Sequence, residues 1–145
     1  MRKTSTLLIA ALGFSGVHAT EFPPNVEKNI KTIQALIDAG SNPSKPHPIE
    51  HHFNCLSSES LDKLMAKGES LGYHVANLGD DVHEGNHYWY GDLVKDTSLD
   101  IKVVNQENSL MLKLASEFNA DYDGWAGIQI ISATLMDEWR EVANC

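Results

Sequence analysis

Ile49-Glu50-His51-His52-Phe53-Asn54-Cys55 is the stretch of this 145-residue chain whose reading decides the fold. Ile49, His51, Phe53 and Cys55 alternate with Glu50, His52 and Asn54. A period of two sends the two sets to opposite faces of a β-strand. His51 falls on the face of Ile49, Phe53 and Cys55, which makes it a hydrogen-bonded structural histidine, while Glu50 and His52 share the other face.

Upstream of that strand, Val26, Ile30, Ile33 and Ile37 recur at helical spacing after Pro23-Pro24 and a capping Asn25, and Gly40 and Pro43 stop the pattern. Downstream, Ser57 can cap a helix carrying Leu61, Leu64, Met65 and Leu71, ended by Gly72. Residues 73–78 read as a second strand, Gly79-Asp80-Asp81 as a turn into a polar loop over 82–86, and residues 88–95 as a third strand. Ile101, Val104, Met111, Leu112, Ala115 and Phe118 fit a helix over 99–118, and residues 122–131 are rich in β-branched and aromatic side chains, as in a fourth strand. The order after the first helix is βαββαβ, which predicts a ferredoxin-like α+β sandwich with one sheet and two helices on one of its faces. Thr134 and Asp137 have the capping-box form ahead of Leu135, Met136, Trp139 and Val142, so a short C-terminal helix is expected to end the chain.

Met1-Arg2-Lys3 precedes the apolar run Leu7 to Phe14, and Val17-His18-Ala19 offers a small-x-small cleavage site, the order of a secretory signal peptide. The expectation is export to the periplasm, with residues 1–19 removed and 20–145 forming one domain, a length that suits a single core. Without Arg2 and Lys3, nine basic side chains face 20 carboxylates, a net charge of −11. Such a surface argues against nucleic acid, whose binding depends on Lys and Arg neutralising phosphates, and favours a basic protein partner. Neither a membrane anchor nor a cofactor is expected, and monomer and homodimer both stay open. Cys55 and Cys145 make an even count, which in an oxidising compartment suggests one structural disulfide. It would close a 90-residue loop, for which chain entropy gives roughly 4 kcal/mol.

Four ordered stretches carry a family resemblance: Asp38-Ala39-Gly40-Ser41-Asn42-Pro43; Ile49-Glu50-His51-His52-Phe53; Leu71-Gly72-Tyr73-His74-Val75; and Leu114-Ala115-Ser116-Glu117-Phe118 with Tyr122-Asp123-Gly124-Trp125. Over about residues 25–131 the chain resembles the RraB family, regulators of ribonuclease E activity. The resemblance implies a small acidic α/β protein of the same ferredoxin-like topology that works by binding a protein partner. It marks Glu50, His51, His52, Tyr122, Asp123, Gly124 and Trp125 as family-motif positions.

Catalytic readings are weaker. His83-Glu84-Gly85-Asn86-His87 matches the H-E-x-x-H zinc pattern, but that chemistry needs both imidazoles one helical turn apart, and Gly85-Asn86 disfavours helix. No metal site is expected there. Glu50, His51 and His52 cannot all cooperate across a strand, and Glu117, Asp121 and Asp123 are acids with nothing to fix a productive separation. A non-enzymatic binding protein is the expectation.

Export would part the chain from a cytoplasmic ribonuclease, so the sequence points to a periplasmic immunity protein that inhibits a peptidoglycan-hydrolase toxin, such as a type VI secretion effector, with a ribonuclease E regulator as the alternative and a small periplasmic metal-binding protein or hydrolase behind both. The expected contact surface is the segment with Asp80, Asp81, His83, Glu84, His87, Tyr88, Trp89 and Tyr90, where steering charges meet aromatic side chains.

Overall fold

β1 (His47–Cys55) shows the alternation its sequence dictates: His47, Ile49, His51, Phe53 and Cys55 are buried, and the residues between them are half-buried. A computed structural model describes residues 21–127 around this strand. It holds α1 (Val26–Asp38), α2 (Ser58–Ser70), β2 (His74–His83), β3 (Asn86–Thr97), α3 (Ile101–Glu117) and β4 (Asp121–Gly127). The sheet order is β2-β3-β1-β4 with every neighbouring pair antiparallel, and this is the ferredoxin-like arrangement expected from the βαββαβ order.

The helices cover one face. Side-chain oxygens start all three: Asn25 accepts from the Lys28 amide, Ser57 from the Ser60 amide and Asp100 from the Lys102 amide. Leu61, Leu64 and Met65 of α2 and Met111, Leu114 and Ala115 of α3 pack on Phe53, Cys55 and Leu93. Gly68 lets α2 lie directly on Leu93, whose methyl groups occupy the space that a Cβ there would need. A second cluster joins Ile33, Ile49, Leu99 and Val104 at the other end of β1. Burying a large aliphatic or aromatic side chain contributes about 1.5–3 kcal/mol, so these two clusters hold the layers together.

Three expectations need correction. Val26 and Ile30 do not line the core: they are 44% and 51% exposed, and Leu71 caps α2 at 38% exposure. The buried line of α1 runs instead through Asn29 and Ile33, because asparagines fasten that helix to α3. The Asn29 amide donates to Asn105 Oδ1 (2.9 Å) and Asn108 Oδ1 (3.1 Å), Asn108 Oδ1 also accepts from the Asn25 backbone (2.9 Å), and Trp125 Nε1 donates to Asn29 Oδ1 (2.8 Å).

The third correction concerns residues 79–86. Gly79-Asp80-Asp81 is no turn, since β2 runs on through it to His83 after a bulge between Ala76 and Gly79, where Asn77 takes φ 53°. The reversal falls at Glu84-Gly85, with φ 51° and 81°, between the paired His83 and Asn86. Two consecutive positive φ values are what a two-residue type I′ hairpin requires. Glycine and aspartate are poor strand formers by propensity, but this ribbon is largely exposed and paired with β3 as far as His83, so cross-strand pairing decides its form. The expected signal peptide (1–19), the continuation of β4 over 128–131, the C-terminal helix and Cys145 lie outside the described residues.

Candidate functional site

The two faces of β1 offer different chemistry. On the covered face, His51 Nδ1 and the Tyr122 hydroxyl share a 2.8 Å hydrogen bond, and the His51 ring meets Tyr73 edge-on at 6.1 Å. Its Nε2 has no polar partner among the described residues. Burial, with the neighbouring His52 adding to it, lowers the His51 pKa from 6.5 to about 3, so the ring stays neutral. Burial also raises the Tyr122 and Tyr73 hydroxyls, and Tyr73 donates to Glu107 Oε2 at 2.6 Å. Lys95 closes this cluster, 3.9 Å from Glu107 Oε1 and 4.8 Å from the Tyr73 ring centre. His51, Tyr122 and Trp125, three of the family-motif positions, are thus fastened into the interior. Gly124, at φ 95°, serves the irregular pairing of β4 with β1 between His51 and Phe53.

The open face is built from the other half of the alternation. His52 Nδ1 lies 2.8 Å from Asp92 Oδ1, its cross-strand partner on β3, and the Asn77 amide donates to Asp92 Oδ2 at 2.7 Å and reaches Glu50 Oε2 at 3.5 Å. Asp92 is only 7% exposed, so both of its oxygens are engaged beneath the surface. Around this centre, Glu50, His52, Asn54, Asn77, Asp81, Tyr88, Tyr90, Asp92 and Asp123 line a shallow recess of about 520 Å³. Tyr88 and Tyr90 stand together with ring centres 6.1 Å apart. Gly79 is required beside them, since the Tyr90 hydroxyl fills the place of its missing Cβ.

The expected contact segment is divided by the ribbon. Asp81, Tyr88 and Tyr90 belong to the open face. Asp80, His87 and Trp89 lie on its underside, where His87 Nε2 is 2.7 Å from Asp80 Oδ2 and stacks on Trp89 at 4.1 Å. Trp89 also packs against the core. His83 and Glu84 are exposed at the turn. The structure brings Glu50, His52 and Asp123 to the same face as Asp81, Tyr88 and Tyr90. The sequence reading missed Asp92 and Asn77 there, because only the β3 register sets Asp92 opposite His52, and only the bulge turns Asn77 to it.

His83 and His87 lie across a hairpin instead of along a helix, which removes the zincin geometry. Among the described residues, no group of three or more His, Cys, Asp or Glu side chains could hold a metal ion. Cys55 is buried, with its thiol pKa raised by that burial. No described helix is long and apolar enough to cross a membrane.

Comparison with known proteins places this geometry. A profile of the family described as RraB, Regulator of ribonuclease activity B, matches residues 26–126. Proteins called Regulator of ribonuclease activity B are similar to the chain in Pantoea ananatis (29% identical over 94 residues, 64% of this chain and 67% of that protein), in Pseudoalteromonas atlantica (31% over 100 residues, 68% and 86%) and in Escherichia coli K12 (29% over 94 residues, 64% and 68%). These names overturn the expected immunity protein, together with its type VI toxin and its peptidoglycan-hydrolase partner. That expectation rested on acidity and on an export signal. Acidity, however, complements any basic partner and does not single out a wall hydrolase.

Proposed function

Since the chain belongs to the RraB family, we propose that it regulates a ribonuclease by binding the enzyme as a protein partner, without chemistry of its own. The observation that carries this reading is the extent of the family match, which takes in α1 through β4 up to Ala126, and with it both faces of the sheet. A binding role also agrees with the site: the polar centre Asp92-His52-Asn77 is satisfied internally and fixes a surface, and the tyrosines beside it are side chains that anchor protein interfaces.

The test is cleavage of a fluorogenic RNA by ribonuclease E, the enzyme to which the sequence resemblance points, with and without the purified chain. A stoichiometric change in rate with a complex recovered by gel filtration supports the reading; an unchanged rate and no complex, for this and other ribonucleases of the same cells, would sink it. Residues 1–19 decide where the two could meet. Fractionation with mass analysis of the N-terminus separates a processed, exported chain, whose enzyme must lie outside the cytoplasm, from one that keeps Arg2 and Lys3.

A further inference from the structure

Charge is segregated in this fold. The outward positions of the four strands hold Glu50, Asp81, Asp92, Asp96, Asp121 and Asp123 and no lysine or arginine. The lysines at 28, 31, 63, 67, 102 and 113 ride on the three helices instead, Lys45 is exposed in the loop ahead of β1, and Lys95 turns inward to Glu107. Solubility alone would not need this separation. It also would not need Tyr88 and the 37%-exposed Tyr90 in the midst of the acids.

We propose that the open face of the sheet is the docking surface for a segment of the protein partner rich in arginine and lysine. The exposed carboxylates of Asp81 and Asp123 and the half-buried one of Glu50 take its cationic heads, and the rings of Tyr88 and Tyr90 take the flat guanidinium groups and the aliphatic stems behind them. Assigning the segment to a ribonuclease rests on the reading above; the chemistry of the face does not. Charge complementarity disfavours residues 128–145 of this chain and a second copy as occupants. Residues 128–145 of this chain carry Asp137, Glu138 and Glu141 against Arg140 alone, and a second copy would bring the same six carboxylates to meet their like. In a ribonuclease the stretches of this composition are those that hold RNA, so a regulator seated there would compete with substrate.

The experiment titrates the whole chain with a short synthetic peptide of arginine and serine, following backbone amide shifts, and repeats the titration with Asp81→Asn/Asp123→Asn and with Glu59→Gln/Asp62→Asn. The second variant removes the same charge from α2, where Glu59 pairs with its neighbour Lys63. Saturable binding with shifts on the outward residues of β1 and β3, weakened about tenfold by the first variant and less than about twofold by the second, is expected. Equal weakening by both, shifts centred on the helices, or no saturation would overturn the proposal. The same variants are assayed with ribonuclease E. Regulation undiminished in Asp81→Asn/Asp123→Asn would overturn the docking surface while the ribonuclease reading stands. Peptide docking on the face with no effect on any ribonuclease would keep the surface and reject the owner of the segment.

Discussion

His51 and His52 are neighbours in the chain and inhabit different worlds. His51 is 2% exposed, bonded to Tyr122 and held neutral by burial, while His52 stands half-exposed on the open face against Asp92. The same contrast runs along the whole sheet. One face is apolar and covered by α2 and α3, with His51 and Tyr122 hydrogen-bonded to each other inside it; the other is acidic, with two tyrosines, and no described helix packs on it. The difference teaches that stability and recognition are written on alternate residues of the same strands, so substitutions one position apart are expected to fail in different assays.

The largest break is expected on the covered side. Phe53→Ala empties a position that is 1% exposed, between Leu64, Met111 and Tyr122, and should cost about 3–5 kcal/mol of unfolding free energy in urea. A cost below about 1 kcal/mol would mean that the core is not centred on β1.

Titration of His51 comes next. The unfolded chain takes up this proton near pH 6.5, but the folded chain only near pH 3. Between those values the unfolded state binds more protons, so stability is complete above about pH 6.5 and falls as the pH is lowered toward 3. Between pH 7 and pH 5 the wild type should lose about 2 kcal/mol more than His51→Gln, which cannot titrate. Equal slopes for the two proteins would show that His51 is charged inside the fold. A smaller loss, about 1 kcal/mol, is expected for Trp125→Phe, which leaves Asn29 Oδ1 without its 2.8 Å donor in the contact between α1 and α3.

Much of this layering was legible in the sequence, and its limits are instructive. The alternation of 49–55, the caps Asn25 and Ser57 and the glycine after α2 are local signals, and local signals fix element type and facing. The hairpin turn was misplaced because Gly79-Asp80-Asp81 has turn composition, whereas Glu84-Gly85 is set by the pairing of His83 with Asn86. Asn29 was unreadable as a core residue, since a polar side chain is buried only where Asn105, Asn108 and Trp125 can satisfy it. Asp92 was missed for the same reason: its partners come from two other strands. The site is thus legible in its residue types and illegible in its register.

The smallest expected change in stability makes the sharpest test of the contrast. Asp81→Asn and Asp123→Asn both lie at exposed positions on a face whose six carboxylates repel one another. Each should therefore leave unfolding free energy within about 0.5 kcal/mol of the wild type, with the sign toward stabilisation at low salt. Added salt screens the same repulsion, so it should stabilise the wild type more than the double variant and close the gap between them. If either substitution instead destabilises by more than about 1 kcal/mol, these acids hold the ribbon in place, and the division of the sheet into a stabilising face and a recognising face fails. If they stabilise, the fold tolerates a concentration of like charge that it does not need, which is the mark of a surface shaped for something other than folding.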